Sequence, residues 1–141
     1  MPSPLLPPDY VPSEKEEYMN PIMLEYFRQK LIDWKREILS ETNETLQHLQ
    51  QESLHQPDMT DRASLETEQA LELRTRDRQR KLINKINEAL ERIGDDSYGY
   101  CEETGEPIGI KRLMARPIAT LSLEAQERHE RYERSHREED E

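Results

Sequence analysis

The apolar positions of this chain recur at helical spacing over two long stretches, with a short polar interruption between them. From Ile22 the apolar side chains fall at Leu24, Phe27, Leu31, Trp34 and Ile38, then at Leu46 and Leu49. Steps of three and four residues line the first five along one narrow stripe, the seam of a coiled coil. The second stretch carries Ala63, Ala70, Leu71 and Leu73, then Ile83, Ile86, Leu90 and Ile93. The interruption is Gln56-Pro57-Asp58-Met59-Thr60-Asp61-Arg62-Ala63-Ser64. Pro57 cannot continue a helix, and Asp58, Thr60 and Asp61 suit the free N–H groups of turns and helix starts. The pattern predicts two long helices folded back antiparallel about a short tip.

The rest of the chain divides around that hairpin. Residues 1–19 hold five of the nine prolines and then Glu14-Lys15-Glu16-Glu17, the composition of a disordered, mobile arm. Asn20-Pro21 reads as a helix start, so the hairpin is expected over residues 20–94 with its tip at 57–63 and Gly94 as its closing C′ glycine. Residues 95–121 gather the other three glycines and two prolines. Two short strands, 98–101 and 107–110, are predicted there about a Thr104-Gly105 turn, forming a small knuckle. Its expected core is Tyr98, Tyr100, Ile108, Ile110, Leu113, Ile118 and Leu121. Residues 122–141 read as a helix, with acid-first pairs four apart such as Glu124/Arg128 and Glu130/Arg134, and a frayed acidic end. The expected fold class is mainly α.

Composition narrows this further. Of 141 residues, 33% are hydrophobic and 36% charged, where about 45–50% and 25% are usual. Helices that bury one stripe and wet the rest suit those values better than a thick core does. A net charge of −11 disfavours direct binding to nucleic acid, whose phosphates it repels. No apolar run approaches a membrane span and no signal peptide is evident, so a cytoplasmic protein is expected. A single cysteine, Cys101, forms no internal disulfide.

Candidate chemistry is sparse. Between Arg74 and Lys85 stand six basic residues and one acid, Asp77, a local reversal of sign. A solvated face paired with acids of the first helix and a docking site for an acidic partner or phosphate ligand are equally open readings. Asp58 and Asp61 are either turn and capping residues or carboxylates that reach a metal or a basic group in a partner. His48, His55, His129 and His136 lie on polar surface with no nucleophile nearby, and no glycine-rich phosphate loop exists. No enzyme is expected.

Several longer motifs resemble the DksA family. They are Pro57-Asp58 through Asp61-Arg62-Ala63, Leu71-Glu72-Leu73-Arg74-Thr75-Arg76-Asp77-Arg78, Arg80-Lys81-Leu82-Ile83, Tyr98-Gly99-Tyr100-Cys101, and Ile108-Gly109-Ile110-Lys111-Arg112-Leu113 through Ala115-Arg116-Pro117. The resemblance covers roughly residues 18–135. It implies a transcription factor that binds RNA polymerase rather than DNA, its hairpin entering the secondary channel. The tip positions nearest the active centre correspond to Asp58, Asp61 and Ala63. Arg74 and Arg78 correspond to positions that dock on the polymerase rim. The alarmone ppGpp, effector of the stringent response, is implied as a ligand at the interface with polymerase, with Leu82, Lys85 and Arg116 at its contact positions. An expected lysine is Gln126 here. No membrane contact is implied, and a monomer is expected.

Many members of that family carry four zinc-binding cysteines. The corresponding positions here are Cys101, Thr104, Ser122 and Ala125, and one thiolate falls short of the four N or S ligands of structural zinc. The chain is thus expected to be of a cysteine-poor, zinc-independent type, without a metal or other resident cofactor. Two other classes of function stand beside transcription regulation: an accessory to transcript cleavage of the Gre type, and a structural coiled-coil adaptor.

Overall fold

Asn20 starts the first helix. Its side-chain Oδ1 accepts the Met23 N–H at 3.0 Å and its carbonyl accepts the Leu24 N–H at 2.9 Å, while Pro21 takes the first helical position, where no donor is needed. The structure, a computed structural model, describes residues 6–54 and 62–140. Among them are α1 (Pro21–Leu54), α2 (Arg62–Gly94), a one-and-a-half-turn α3 (Ile110–Ala115) and α4 (Leu123–Asp140). The protein is mainly helical, with α1 and α2 as a long antiparallel coiled-coil hairpin, followed by a small finger-like knuckle and the terminal helix. No described helix is long and apolar enough to cross a membrane.

The chain forms two compact units, Met1–Leu31 with Ala89–Glu141, and Ile32–Glu88. In the second, Ile38 and Ile86 are buried, and Lys35 Nζ donates to Asn87 Oδ1 at 2.8 Å, tying the two helices in antiparallel sense. Burial fades along this unit: Leu71 and Leu73 of the expected seam are exposed. With few large apolar side chains there, helix pairing rests on a thin stripe.

The first unit holds most of the core. Met23, Phe27, Leu31, Ala89, Tyr98, Leu113 and Ala125 are all but inaccessible. Phe27 and Tyr98 lie ring to ring at 5.5 Å, and the Tyr98 hydroxyl donates to the Pro117 carbonyl at 2.7 Å. That bond lets a phenol sit in an apolar core without an unpaired donor. Lys30 Nζ donates to the Met114 carbonyl at 3.0 Å, joining α1 to α3.

Four local expectations change. Asp96 (φ 64), not Gly94, takes the left-handed position after α2, and the Ser97 N–H closes on the Arg92 carbonyl at 3.0 Å, a Schellman-type stop. Asp95 supports it by accepting the Ser97 N–H at 3.0 Å. The two strands shrink to one antiparallel bridge, Tyr100 with Pro107. Pro107 has no N–H for a longer ladder, and Ile110 is taken into α3. In the expected knuckle core Tyr100 is exposed and Ile118 and Leu121 are half-buried, while Met23 and Ala125, outside that set, are fully buried.

The N-terminal arm is the fourth. Its described residues are packed, not disordered: Pro12 is buried, the Tyr10 ring meets Tyr26 edge-on at 6.0 Å, and Tyr18 meets Tyr100 at 5.5 Å. The prolines that suggested disorder also lower the entropy lost on docking. Two aromatic contacts and the buried Pro12 then hold the segment.

Candidate functional site

Of the tip positions, Asp58 and Asp61 lie outside the described residues. Ala63 is exposed in the first turn of α2, and its carbonyl accepts the Thr67 hydroxyl at 2.8 Å.

The basic stretch of α2 sorts into two sets. Arg76 pairs with Glu72 at 2.7 Å, while Arg80 and Lys81 both pair with Asp77, at 2.6 and 3.3 Å. Hydrogen bonding from Lys81 and then Arg80 holds the Asp77 carboxyl below its ordinary range. Arg74, Arg78 and Lys85 are exposed and make no ion pair among the described residues. They recur at steps of four and seven, hence on one helix face, with Leu82 half-buried beside them. The acids that satisfy the first set belong to α2 itself and not to α1.

The knuckle presents a second basic surface. Arg116 follows α3 and donates its N–H to the Arg112 carbonyl at 2.7 Å, so its exposed guanidinium is carried on a fixed backbone. Arg112 Nε is anchored on the Leu121 carbonyl at 2.9 Å. Lys111, Arg112 and Arg116 line a pocket of about 450 Å³ together with Glu14 and the apolar Ile108, Ile110 and Leu123. Gln126 is half-buried on α4 and donates to Glu130 at 3.3 Å, with no positive charge to add.

Tyr18 and Glu14 were missed in the sequence. The Tyr18 hydroxyl donates to the Gly99 carbonyl at 2.6 Å and accepts the Gly109 N–H at 3.0 Å. The one available signal was the strong helix start at Asn20-Pro21, which holds the residue two positions earlier near the fold.

Cys101 is buried at the heart of the knuckle, 3% exposed. Burial pushes its thiol up, but hydrogen bonds from the Thr104 hydroxyl and from the N–H groups of Ser122, Thr104 and Glu103 outweigh it and bring the thiol down to about 6. Ser122 also caps α4, its Oγ accepting the Ala125 N–H at 3.2 Å. Ala125 is fully buried and offers only a methyl group. His129 pairs with Glu103 beside this turn.

A helical hairpin followed by a glycine-turned knuckle and a capped helix defines a helical factor with a finger-type module. Residues 23–93 match the family model "DnaK suppressor protein DksA, N-terminal domain", and residues 96–131 match "Prokaryotic dksA/traR C4-type zinc finger". The chain belongs to the DksA family. It is 67% identical over 129 residues to the RNA polymerase-binding transcription factor DksA of Caulobacter vibrioides, covering 92% of this chain and 91% of that protein. The Escherichia coli protein of the same name is 48% identical over 109 residues, 77% and 72% of the two chains. The solved structure of transcription factor DksA2 from Pseudomonas aeruginosa superposes with a TM-score of 0.76 at 39% identity, over 85% of this chain and 94% of that one.

The match over residues 96–131 corrects the expectation of a protein without zinc, because it assigns this segment to a zinc-finger module and so points to zinc binding. Counting thiolates at four positions misled because a module is recognised by its whole pattern of turns and core residues. The donors at those four positions nonetheless do not fit a four-thiolate site. Cys101 supplies one sulfur, Thr104 and Ser122 hold hydroxyls already engaged in hydrogen bonds, and Ala125 has no donor at all. Among the described residues no three His, Cys, Asp or Glu side chains gather into an alternative set.

Proposed function

We propose that this chain binds RNA polymerase, entering the secondary channel with its hairpin, and modulates transcription initiation together with ppGpp in the stringent response. The observation that carries the reading is the exposed, unpaired stripe Arg74, Arg78 and Lys85 on a family hairpin whose neighbouring cations are already neutralised. Unpaired arginines keep their full attraction for an acidic rim, and their planar fork binds carboxylates in pairs of hydrogen bonds. The relatives' names, RNA polymerase-binding transcription factors, support the partner.

In this reading Arg74 and Arg78 dock, while Asp58, Asp61 and Ala63 act at the active centre without catalysing a reaction themselves. Lys85 and Arg116 meet the phosphates of ppGpp, Leu82 its apolar edge, and Gln126 leaves one charge fewer. The protein works as a cytoplasmic monomer and does not bind nucleic acid directly, consistent with its net charge of −11.

The test is transcription in vitro from a ribosomal promoter, with and without ppGpp. Asp61→Asn is expected to remove the effect on initiation and leave polymerase affinity within a few-fold. Lys85→Ala is expected to blunt the ppGpp response and spare the ppGpp-independent effect. An unchanged promoter response to the wild-type protein defeats the reading.

A further inference from the structure

The arm that docks on the knuckle delivers a carboxylate to the basic pocket. Ser13, Glu14, Lys15 and Glu16 form a turn, with the Glu16 N–H reaching the Ser13 carbonyl at 3.4 Å. Glu16 fastens it: its carboxylate accepts the Ser13 N–H at 3.0 Å and the Tyr10 hydroxyl at 3.0 Å. Pro12 is buried on one side of the turn, and Tyr18 is clamped between Gly99 and Gly109 on the other. Glu14, at the tip of the turn, lines the pocket with Lys111, Arg112 and Arg116, whereas Lys15 does not. The arm is thus fixed at both ends, with one acid on the wall of a pocket that three cations also line.

We propose that Glu14 is a built-in competitor for the anionic ligand of this pocket, so that the arm sets the concentration at which a polyphosphate ligand engages Lys111, Arg112 and Arg116. This rests on the reading above that Arg116 meets the phosphates of ppGpp. Electrostatics gives the reason. A carboxylate on the wall of the same pocket as three cations lowers the local positive potential that attracts phosphate, and an incoming anion must face or displace it. Displacement needs only the exposed Glu14 side chain to swing away and leaves Pro12 and Tyr18 in place.

The experiment is a ppGpp titration of the transcriptional response, using the full-length protein bound to RNA polymerase. Glu14→Gln is expected to lower the half-maximal ppGpp concentration about threefold, the size of one surface charge at that range. The shift is expected to shrink as salt rises. Tyr10→Phe removes the hydroxyl that holds Glu16, loosens the turn, and is expected to shift the midpoint in the same direction. Arg116→Ala is expected to raise the midpoint and to abolish the gain from Glu14→Gln in the double variant. If Arg116→Ala raises the midpoint but neither Glu14→Gln nor Tyr10→Phe lowers it, the competitor role is overturned and the anion site stands. If Arg116→Ala leaves the midpoint where it was, the anion site itself is refuted, and the competitor with it.

Discussion

The Tyr18 hydroxyl accepts the Gly109 N–H at 3.0 Å while donating to the Gly99 carbonyl at 2.6 Å, so a single side chain from the arm bridges the two glycine corners of the knuckle. Gly99 is buried and Gly109 half-buried; the Gly109 N–H relies on that hydroxyl, whereas the Gly99 carbonyl also accepts the Ile108 N–H. Burial raises the Tyr18 phenol above its ordinary value, keeping it protonated and able to donate.

Tyr18→Phe keeps the ring against Tyr100 and deletes the bridge. The Gly99 carbonyl retains the Ile108 N–H at 2.8 Å, but the Gly109 N–H loses its partner. A loss of about 1 kcal/mol is expected in urea unfolding, the net worth of one part-buried hydrogen bond. Unchanged stability would show that water replaces the hydroxyl.

Gly99 has φ +92, and a Cβ there would lie 2.9 Å from Met19 Cγ. Gly99→Ala therefore meets two separate penalties, one of backbone and one of contact. About 1–3 kcal/mol of destabilisation is expected from the backbone strain alone. Adding Met19→Ala should relieve the contact but not the strain, so a melt that recovers only in part is the diagnostic outcome.

Ion pairing separates the arginines of α2 into two sets. Arg74→Ala and Arg78→Ala are each expected to weaken polymerase binding about fivefold, near 1 kcal/mol. Arg76→Ala and Arg80→Ala should matter less, because those side chains already serve Glu72 and Asp77. Equal losses across all four in a competition assay would reject the division.

The Tyr10 phenol is pushed up to about 12, first by burial and then by its hydrogen bond to Glu16. The folded arm prefers the protonated form, so this contribution is complete below the ordinary value of 10.0 and is lost as pH rises through about 12. Spectrophotometric titration of wild type against Tyr10→Phe should reveal one late-ionising tyrosine. Arm contacts followed by hydrogen exchange should weaken over the same interval.

Periodicity alone determined the two long helices, because a stripe at steps of three and four has no other way to be buried. Asn20-Pro21 set the helix start through local hydrogen bonding, and Phe27, Leu31, Ile38 and Ile86 of the seam are buried where the pattern put them. The glycines of residues 95–121 announced a knuckle, since tight turns need their conformational freedom. What the tertiary structure decided depends on partners distant in sequence. The difference between Arg76 and Arg78 is not of that kind, since Glu72 lies four residues before Arg76 on the same helix and no acid lies three or four residues from Arg78. Proline content described the arm's stiffness and not its docking, which required Tyr26, Tyr100, Gly99 and Gly109 to meet Tyr10 and Tyr18 across some 80 to 90 residues in the case of Tyr18. The low thiol of Cys101 likewise arises only when Thr104 and Ser122, neutral residues with no charge to signal the effect, turn a hydroxyl and their N–H groups toward one sulfur.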